Sequence, residues 1–368
     1  MKIAIDVSQM CYEGTGVARY VKGLTEALLN SNSPHEFVLY AGTLRQRAFF
    51  TRLSQTSPWD KATWKIFPLP PKLAGYALND TSIPFELLTG AVDLVHASDW
   101  SQPSAKAKIV TTVHDLVFVK YPETVDSLIL GTQTRRLKKI VSSDTHIIAD
   151  SMSTKNDLVE IYNLSPLRID VVYPGVSPQY LSQSKEEIDR VKTKYKLPEK
   201  YILSLGTQEP RKNIDRLAEA AKGQELPLVI VGKHGWGVPD TPGVKGSHTP
   251  GVIALGFVPE SDLPGLYSGA SVFAFPSLYE GFGFPVLEAM ACGTPVVTSS
   301  LSSLPEIAGE AAILVNPLDI DSIRLGITTA LASHATLKVR GLKQASQFTW
   351  ESTAKNILEV YEKIANRH

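Results

Sequence analysis

Short hydrophobic runs alternate along the chain with longer segments in which hydrophobic residues recur at the period of a helix. This alternation is typical of a parallel β-sheet whose strands are joined by crossover helices. In the first half, the predicted strands are Ile3–Val7, Phe37–Tyr40, Trp64–Phe67, Leu94–Val95, Ile109–Val113, His146–Ala149 and Ile169–Val172. In the second half, they are Tyr201–Leu205, Leu228–Val231, Val252–Leu255, Val272–Phe275, Pro295–Thr298 and Ala312–Val315. The pattern therefore predicts an α/β protein.

The two halves are separated by a cluster of proline and glycine, Tyr173–Pro178, followed by a charged helical stretch that ends near Pro198. Such clusters are common at domain boundaries, and 368 residues exceed the usual size of one hydrophobic core. We expect two Rossmann-like domains that face each other across a cleft, residues 1–175 and 176–350. The last helix, about 351–368, is expected to pack back on the first domain.

The composition is that of an ordinary globular protein, with 43% hydrophobic and 20% charged residues. The formal net charge is zero, which disfavours nucleic acid as a partner. Cys11 and Cys292 are too few for a disulfide framework, so we expect reduced thiols. The chain opens with a predicted strand rather than a signal peptide, and no hydrophobic run reaches the roughly 18 residues of a membrane span. We therefore expect a cytoplasmic protein.

Candidate chemistry is densest just after the predicted strand Val272–Phe275. There Glu280 and Glu288 flank a Gly-Phe-Gly-Phe loop, residues 281–284, and Pro285 suits the first position of a helix. Unpaired amides at a helix N-terminus bind phosphate, and a carboxylate on either side can bind the hydroxyls of a sugar and a ribose. The segment thus predicts a nucleotide-sugar site. Taken alone, it also fits an ordinary turn with an acid that stabilises its own helix.

Arg211 and Lys212 stand in the corresponding loop of the first strand of the second half, between Tyr201–Leu205 and the predicted helix Ile214–Lys222. Arginine binds phosphate oxygens in a bidentate manner and lysine acts as a point charge, so the pair fits a diphosphate. A solvated turn is the alternative.

Two further candidates follow strands of the first half. The loop Gly14–Gly16 leads into the predicted helix Val17–Asn30, where it either contacts phosphate or forms a plain turn. Arg19 occupies the place of the third glycine of a dinucleotide fingerprint, which disfavours a nicotinamide dehydrogenase. His114 follows Ile109–Val113 and can donate to a phosphate or a sugar hydroxyl, or be a histidine satisfied at a strand end. Because ligands bind beyond the carboxyl ends of parallel strands, we expect one common site.

Three other motifs have structural interpretations. Asp319 and Asp321 have the spacing of a metal-binding pair, but they precede a helix and are better explained by helix capping. The basic segment 135–139 is expected to be a solvated helix face, with contact to anionic lipid as the alternative. Ser303 and Pro305 predict another helix N-cap and first turn. We therefore predict no metal site.

With these residues in place, the chain closely resembles glycosyltransferase family 4, the large group of retaining transferases with the GT-B fold. The resemblance covers nearly the whole chain and is most specific from Pro276 to Val297. It implies catalytic roles for Glu280 and His114 near the reacting sugar, and a ribose contact for Glu288. Donor-phosphate contacts are implied for Gly16, Arg211, Lys212, Gly283 and Phe284.

The resemblance also implies that the backbone of Phe257 and Val258 meets the base of the nucleotide. The family's second phosphate cation often stands where this chain has Thr207, so Arg211 is expected to replace it. The implied reaction moves a sugar from a nucleoside diphosphate to an acceptor hydroxyl with retention, without a metal or other cofactor. Glu280 would act by positioning and electrostatics, with a covalent glycosyl intermediate as the alternative.

The segments 206–213 and 278–285 resemble bacterial mannosyltransferases of polysaccharide assembly. GDP-mannose is thus the expected donor and a glycan or lipid-linked molecule the expected acceptor, which is compatible with peripheral contact at the inner face of the membrane. A UDP-sugar donor, a nucleotide-sugar 2-epimerase and a non-catalytic nucleotide-sugar binder are the alternatives.

Overall fold

The computed structural model describes residues 1–12, 14–68, 71–207, 209–232 and 251–366, without the side chains of residues 71, 72, 74 and 77. The last two residues of the predicted C-terminal helix, 367–368, lie outside this description. The chain forms two compact units. The first comprises Met1–Phe118, Ser127–Gly175 and Thr349–His368, and the second comprises Val119–Asp126 and Val176–Phe348. The short segment 119–126 was expected in the first domain and belongs to the second unit.

The strands of the first unit are β1 Lys2–Asp6, β2 Glu36–Gly42, β3 Thr63–Phe67, β4 Leu94–Ala97, β5 Lys108–Val113, β6 His146–Ala149 and β7 Ile169–Val171. Those of the second unit are β8 Ile202–Leu205, β9 Leu228–Val231, β10 Val252–Gly256, β11 Val272–Phe275, β12 Val296–Ser299 and β13 Ala312–Val315. Every predicted run overlaps one of these strands.

The helices of the first half are α1 Gly16–Asn30, α2 Arg47–Leu53, α3 Pro71–Asn79, α4 Glu86–Thr89, α5 Val117–Lys120, α6 Ser127–Val141 and α7 Met152–Tyr162. They are followed by α8 Lys185–Tyr195, α9 Ile214–Ala221, α10 Leu263–Gly269, α11 Phe284–Ala291, α12 Leu304–Ala308, α13 Ile320–Ala332, α14 His334–Ala345 and α15 Trp350–Ala365. Among the described residues, no helix is long and apolar enough to cross a membrane.

Each unit contains one parallel sheet. The strand order is β3-β2-β1-β4-β5-β6-β7 in the first and β10-β9-β8-β11-β12-β13 in the second. Most central strands are buried on both faces, which explains why they are continuous hydrophobic runs in the sequence. In both sheets the chain reverses its direction of progress beside the first strand, between β1 and β4 and between β8 and β11. Such switch points open the crevice in which α/β proteins bind ligands.

Helix α15 packs against α1 in the first unit, and its buried face carries Trp350, Ile357 and Tyr361. Gly23 of α1 makes room for the indole of Trp350, since a Cβ atom there would lie 2.2 Å from the ring. The Tyr361 hydroxyl lies 2.6 Å from Nδ1 of His96 on β4. A large side chain against a glycine and a buried hydrogen bond therefore join α15 to the body of the unit.

Two of the structural interpretations made from the sequence can be compared directly with the fold. Asp319 caps α13 as predicted, because its carboxylate accepts a hydrogen bond from the Asp321 amide. The interpretation of 135–139 as a solvated face is wrong for Arg136, which is only 2% exposed. Its guanidinium donates to the Thr112 carbonyl and the Thr111 hydroxyl of β5, since a buried cation needs polar partners.

The contact between Gly23 and Trp350 yields a stability prediction. Gly23→Ala places a methyl group inside the indole, and the displaced α15 lowers the free energy of unfolding by about 1–3 kcal/mol. The measurement is the urea-unfolding midpoint.

Gly131→Ala is the matched control, because this glycine of α6 has space for a methyl group and helical alanine is favoured over glycine by up to about 1 kcal/mol. An equal loss of stability in the two variants, or a larger loss in Gly131→Ala, would contradict the packing described here.

Candidate functional site

The loop between β11 and α11 takes its shape from a glycine that no other residue replaces easily. Gly283 directly precedes α11 with φ +115°, a conformation that side chains disfavour, and a Cβ there would lie 2.8 Å from the Leu304 side chain. Pro285 is the second residue of the helix, one position after the predicted one, because the helix begins at Phe284. The backbone of the loop is therefore closely packed where it enters the helix.

A serine pair at the start of α12 holds the same loop from the other side. The Ser303 hydroxyl lies 2.8 Å from the carbonyls of both Glu280 and Phe282, and the Ser302 hydroxyl accepts from the Glu280 amide at 3.0 Å. Ser303 does stand at the N-cap position of α12, but its side chain does not make the predicted capping hydrogen bond. Its hydroxyl binds the loop carbonyls instead, because that loop carries carbonyls without helical partners.

Glu280 receives two cations in this loop. Its Oε1 lies 2.6 Å from Nζ of Lys212, and its Oε2 accepts from Nη1 of Arg211 at 3.0 Å. Nε of Arg211 also donates to Glu209 at 2.8 Å. The two cations therefore meet at one carboxylate, and the replacement of a cation at Thr207 by Arg211 stays a prediction.

The ion pair is almost fully enclosed, with Glu280 and Lys212 exposing only 8% and 9% of their surface. Burial alone would raise the pKa of Glu280, but the charges of Lys212 and Arg211 outweigh burial and lower this pKa to about 2. Glu280 is therefore a carboxylate at neutral pH. Nζ of Lys212 also lies 4.8 Å from the centroid of the Phe275 ring, an additional cation–π contact.

These side chains meet because β8 and β11 are neighbouring parallel strands, with Phe273 paired to Leu203. The loops that follow them therefore emerge at the same edge of the sheet. The Leu278 amide donates to the Arg211 carbonyl at 2.7 Å, which ties the two loops together directly. Asn213 does the same with its side-chain amide, which donates to the carbonyl of Pro276 at 3.0 Å.

Glu288, the second glutamate of the motif, is the fifth residue of α11 and is 2% exposed. Its Oε2 accepts from the hydroxyl of Tyr267 in α10 at 2.8 Å. Because Glu288 lies beyond the first turn, stabilisation of its own helix N-terminus does not account for a buried carboxylate here. A buried carboxylate requires polar partners, and Tyr267 supplies one of them.

Phe257 and Val258 follow β10, which two strands separate from β11 in the sheet order. The Phe257 ring is 60% exposed, whereas the Val258 side chain is buried in the core of the second unit. The two neighbours therefore leave the strand end in different environments.

Gly16 and His114 belong to the first unit. Gly16 is the first residue of α1, behind the capping side chain of Thr15, so the helix begins one residue before the predicted start at Val17. His114 directly follows β5, and its Nδ1 lies 2.6 Å from Oδ2 of Asp150. Tyr20 of α1 packs edge-on against the imidazole, with 4.7 Å between ring centroids.

Desolvation lowers the pKa of His114, but the charge and hydrogen bond of Asp150 outweigh it and raise this pKa to about 9. The imidazole is therefore an imidazolium at neutral pH.

Several partners of the site were not identified from the sequence: Asp150, Tyr267, Glu209, Ser302 and Ser303. One of them carried a usable signal. Asp150 directly follows β6, and polar residues that directly follow parallel strands are where site residues are expected. The others lie in helices or in loops whose backbone direction is not encoded in a local pattern.

Comparison with known proteins shows which families the chain resembles. Residues 14–180 match the family model described as Glycosyltransferase Family 4, and residues 185–348 match the model of Glycosyl transferases group 1. The O-antigen chain mannosyltransferase B of Escherichia coli is 30% identical over 383 residues, with 98% of this chain and 100% of that protein covered.

The serotype-specific mannosyltransferase WbdA of Escherichia coli is 32% identical over 277 residues. That match covers 70% of this chain but 34% of WbdA, so the chain aligns with about a third of that protein. Among solved structures, sucrose-phosphate synthase from Thermosynechococcus elongatus has a TM-score of 0.74 at 21% identity, over 99% of this chain and 98% of the other.

The structural likeness confirms the GT-B fold. With both halves matched by glycosyltransferase models and a relative 30% identical over its full length, the chain belongs to glycosyltransferase family 4 and is a glycosyltransferase.

Proposed function

We propose that this glycosyltransferase moves mannose from GDP-mannose to an acceptor hydroxyl in polysaccharide or glycolipid assembly, with retention at the anomeric carbon and without a metal ion. The observation that carries the proposal is the meeting of Arg211, Lys212 and Glu280 beside the N-terminus of α11. Two cations and a helix N-terminus suit a diphosphate, and a carboxylate among them suits the sugar attached to it.

Different residues would contact different parts of the donor. Arg211, Lys212 and the amides of Gly283 and Phe284 would bind the diphosphate, together with Gly16 in the first unit. Glu288 would bind the ribose hydroxyls, and the backbone of Phe257 and Val258 would meet the base. Glu280 and His114 would act near the transferred sugar.

Charge builds up on the diphosphate as it leaves, so the donor-phosphate contacts stabilise the transition state electrostatically. Arg211, Lys212 and the helix N-terminus supply this positive charge from the protein itself, which is why we propose a metal-independent reaction. We favour attack from the same face, in which the departing phosphate takes the proton of the acceptor hydroxyl. Glu280 then positions the sugar rather than forming a covalent bond with it.

The positive charges of the two cations are balanced by carboxylates of the protein itself. Arg211 and Lys212 carry two positive charges, and Glu209 and Glu280 carry two negative charges within hydrogen-bond distance. A diphosphate therefore competes with Glu280 for the same two cations. Its arrival would release the Glu280 carboxylate toward the sugar.

Mannose and GDP are favoured because two relatives named as mannosyltransferases align with the chain, one of them over its full length. The name of the full-length relative, an O-antigen chain mannosyltransferase, supports a growing glycan as acceptor. A lipid-linked glycan would bring the enzyme to the inner face of the membrane as a peripheral protein.

The first prediction of this proposed function concerns the nucleotide. At equal concentration, GDP raises the melting temperature more than UDP or ADP do, because the nucleotide that binds most tightly stabilises the native state most. A ligand present at 100 times its Kd stabilises it by about 2.7 kcal/mol. Thermal shift measures this, with guanosine as the control that lacks the phosphates.

Release of mannose from GDP-mannose is then followed with the preferred nucleotide. A larger shift with UDP would overturn the GDP proposal alone. No shift with any of the three diphosphates would overturn the nucleotide-sugar site. Formation of an epimer from the donor alone would indicate a 2-epimerase, and tight binding without turnover across an acceptor panel would indicate a binder.

The second prediction separates the two glutamates. Glu288→Gln weakens GDP binding about tenfold, equivalent to about 1.4 kcal/mol, because it removes the carboxylate proposed to bind the ribose. Glu280→Gln binds GDP at least as tightly as the unmodified protein, since it removes the carboxylate that competes for Arg211 and Lys212, yet its turnover falls by at least about tenfold.

Calorimetric titration with GDP and release of GDP from the donor give the two readouts. Glu310→Gln is the matched control, because Glu310 is an exposed glutamate of the same unit, and both readouts should stay unchanged. Equal losses of GDP affinity in both site variants would contradict the division of roles.

A further inference from the structure

We propose that Asp150 is a positioning residue that keeps His114 protonated, so that His114 meets the donor as a fixed cation and not as a general base. The inference deepens the proposed function, because it takes from it the location of His114 near the reacting sugar. The family resemblance implies no role for the carboxylate of Asp150.

The geometry places Asp150 directly beside His114. Val113 and Ala149 are paired in register on the neighbouring strands β5 and β6, and His114 and Asp150 are the residues that directly follow them. Oδ2 of Asp150 lies 2.6 Å from Nδ1 of His114, and the two side chains expose only 3% and 14% of their surface. A short contact inside a buried pair holds the orientation of the ring.

Further contacts hold the ring and the backbone of His114. The Tyr20 ring packs edge-on against it, and the Thr154 hydroxyl lies 3.2 Å from the His114 carbonyl. The Tyr20 hydroxyl in turn lies 3.2 Å from that of Thr112, which lies 2.8 Å from Nε2 of His96. His114 therefore sits against a buried polar chain and has little freedom to turn away from Asp150.

The charges around His114 favour the imidazolium. The groups that face it from the surrounding elements are Asp150 before α7, Asp99 after β4, Asp115 next in the chain, His96 on β4 and Tyr20 on α1. Arg136 on α6 acts on His96 and Asp99. Burial together with the charges of His114 and Arg136 lowers the pKa of His96 to about 3, so His96 is neutral. Arg136 pairs with Asp99 at 3.4 Å.

The carboxylate of Asp150 interacts mainly with His114. Its Oδ1 is buried and makes no hydrogen bond in the described part of the chain, so the negative charge is compensated chiefly through Oδ2 and His114. Burial raises the pKa of Asp150, and the charge of His114 opposes that shift. Each of the two groups thus favours the charged form of the other.

A histidine that keeps its proton has a defined part in the transfer. The bond from the anomeric carbon to the diphosphate oxygen breaks, and the acceptor oxygen forms its bond to the same carbon. The acceptor proton passes to the departing diphosphate. His114 retains its own proton throughout and stabilises the negative charge that develops on the donor.

The direct test is the pKa of His114 in the full-length protein. Side-chain NMR of protein labelled at histidine, with the His114 signal identified by its loss in His114→Gln, should give a value near 9 in the unmodified protein. In Asp150→Asn the value should fall to 6.5 or below. A value near 6.5 in the unmodified protein would overturn the inference whether or not the variant folds.

The second readout is the pH profile of donor turnover. With the carboxylate gone, His114 loses its proton as the pH rises, so turnover of Asp150→Asn relative to the unmodified protein falls about 20-fold between pH 6 and pH 8. Asp170→Asn is the matched control, because it removes the carboxylate from the pair with His146, 2.8 Å apart in the same unit. Its pH profile should match that of the unmodified protein.

The two readouts separate the inference from the function on which it rests. A pKa near 9 with a pH-independent Asp150→Asn enzyme would overturn the role of the imidazolium in transfer, and so would an equal loss in the Asp170→Asn enzyme. If the protein turns over no nucleotide sugar at all, the proposed function fails, and the measured pKa alone then decides whether Asp150 keeps His114 charged.

Discussion

The candidate donor site depends on one constraint of chain topology, the pairing of β8 directly with β11. Two loops far apart in the chain, 206–213 and 276–284, thereby leave the sheet at the same edge. Electrostatics then acts on what topology has brought together, because a carboxylate from one loop meets two cations from the other in a largely dry setting. If β11 were paired elsewhere, each of these charges would need another buried partner or would have to remain in water.

The first unit repeats this principle with different chemistry. Its neighbouring strands β5 and β6 end in His114 and Asp150, and the result is a buried ion pair at the corresponding edge of the sheet. Both sites are built from residues of the segments that follow buried strands. The rigid strands fix the Cα positions, and short side-chain contacts fix the rest.

The strands and the main site motifs could be read from the sequence because buried parallel strands are continuous hydrophobic runs and their ends carry the polar residues. Burial of a basic residue was beyond local reasoning, since Arg136 stands in a charged helix and its partners belong to β5. The serine contacts of the loop at Glu280 depend on Ser302, which takes the left-handed backbone conformation at φ +56°. No short pattern distinguishes that serine from one that caps a helix.

The order of the chain also has a consequence for folding during synthesis. Helix α15 fills the groove that Gly23 leaves on α1, yet the whole second unit is synthesised between them. Domains usually fold one after another as they leave the ribosome. Here the hydrophobic groove on α1 stays open until the second unit has been synthesised. The second unit can thus finish folding first, and a chain interrupted before Trp350 would leave the earlier unit incomplete and open to degradation.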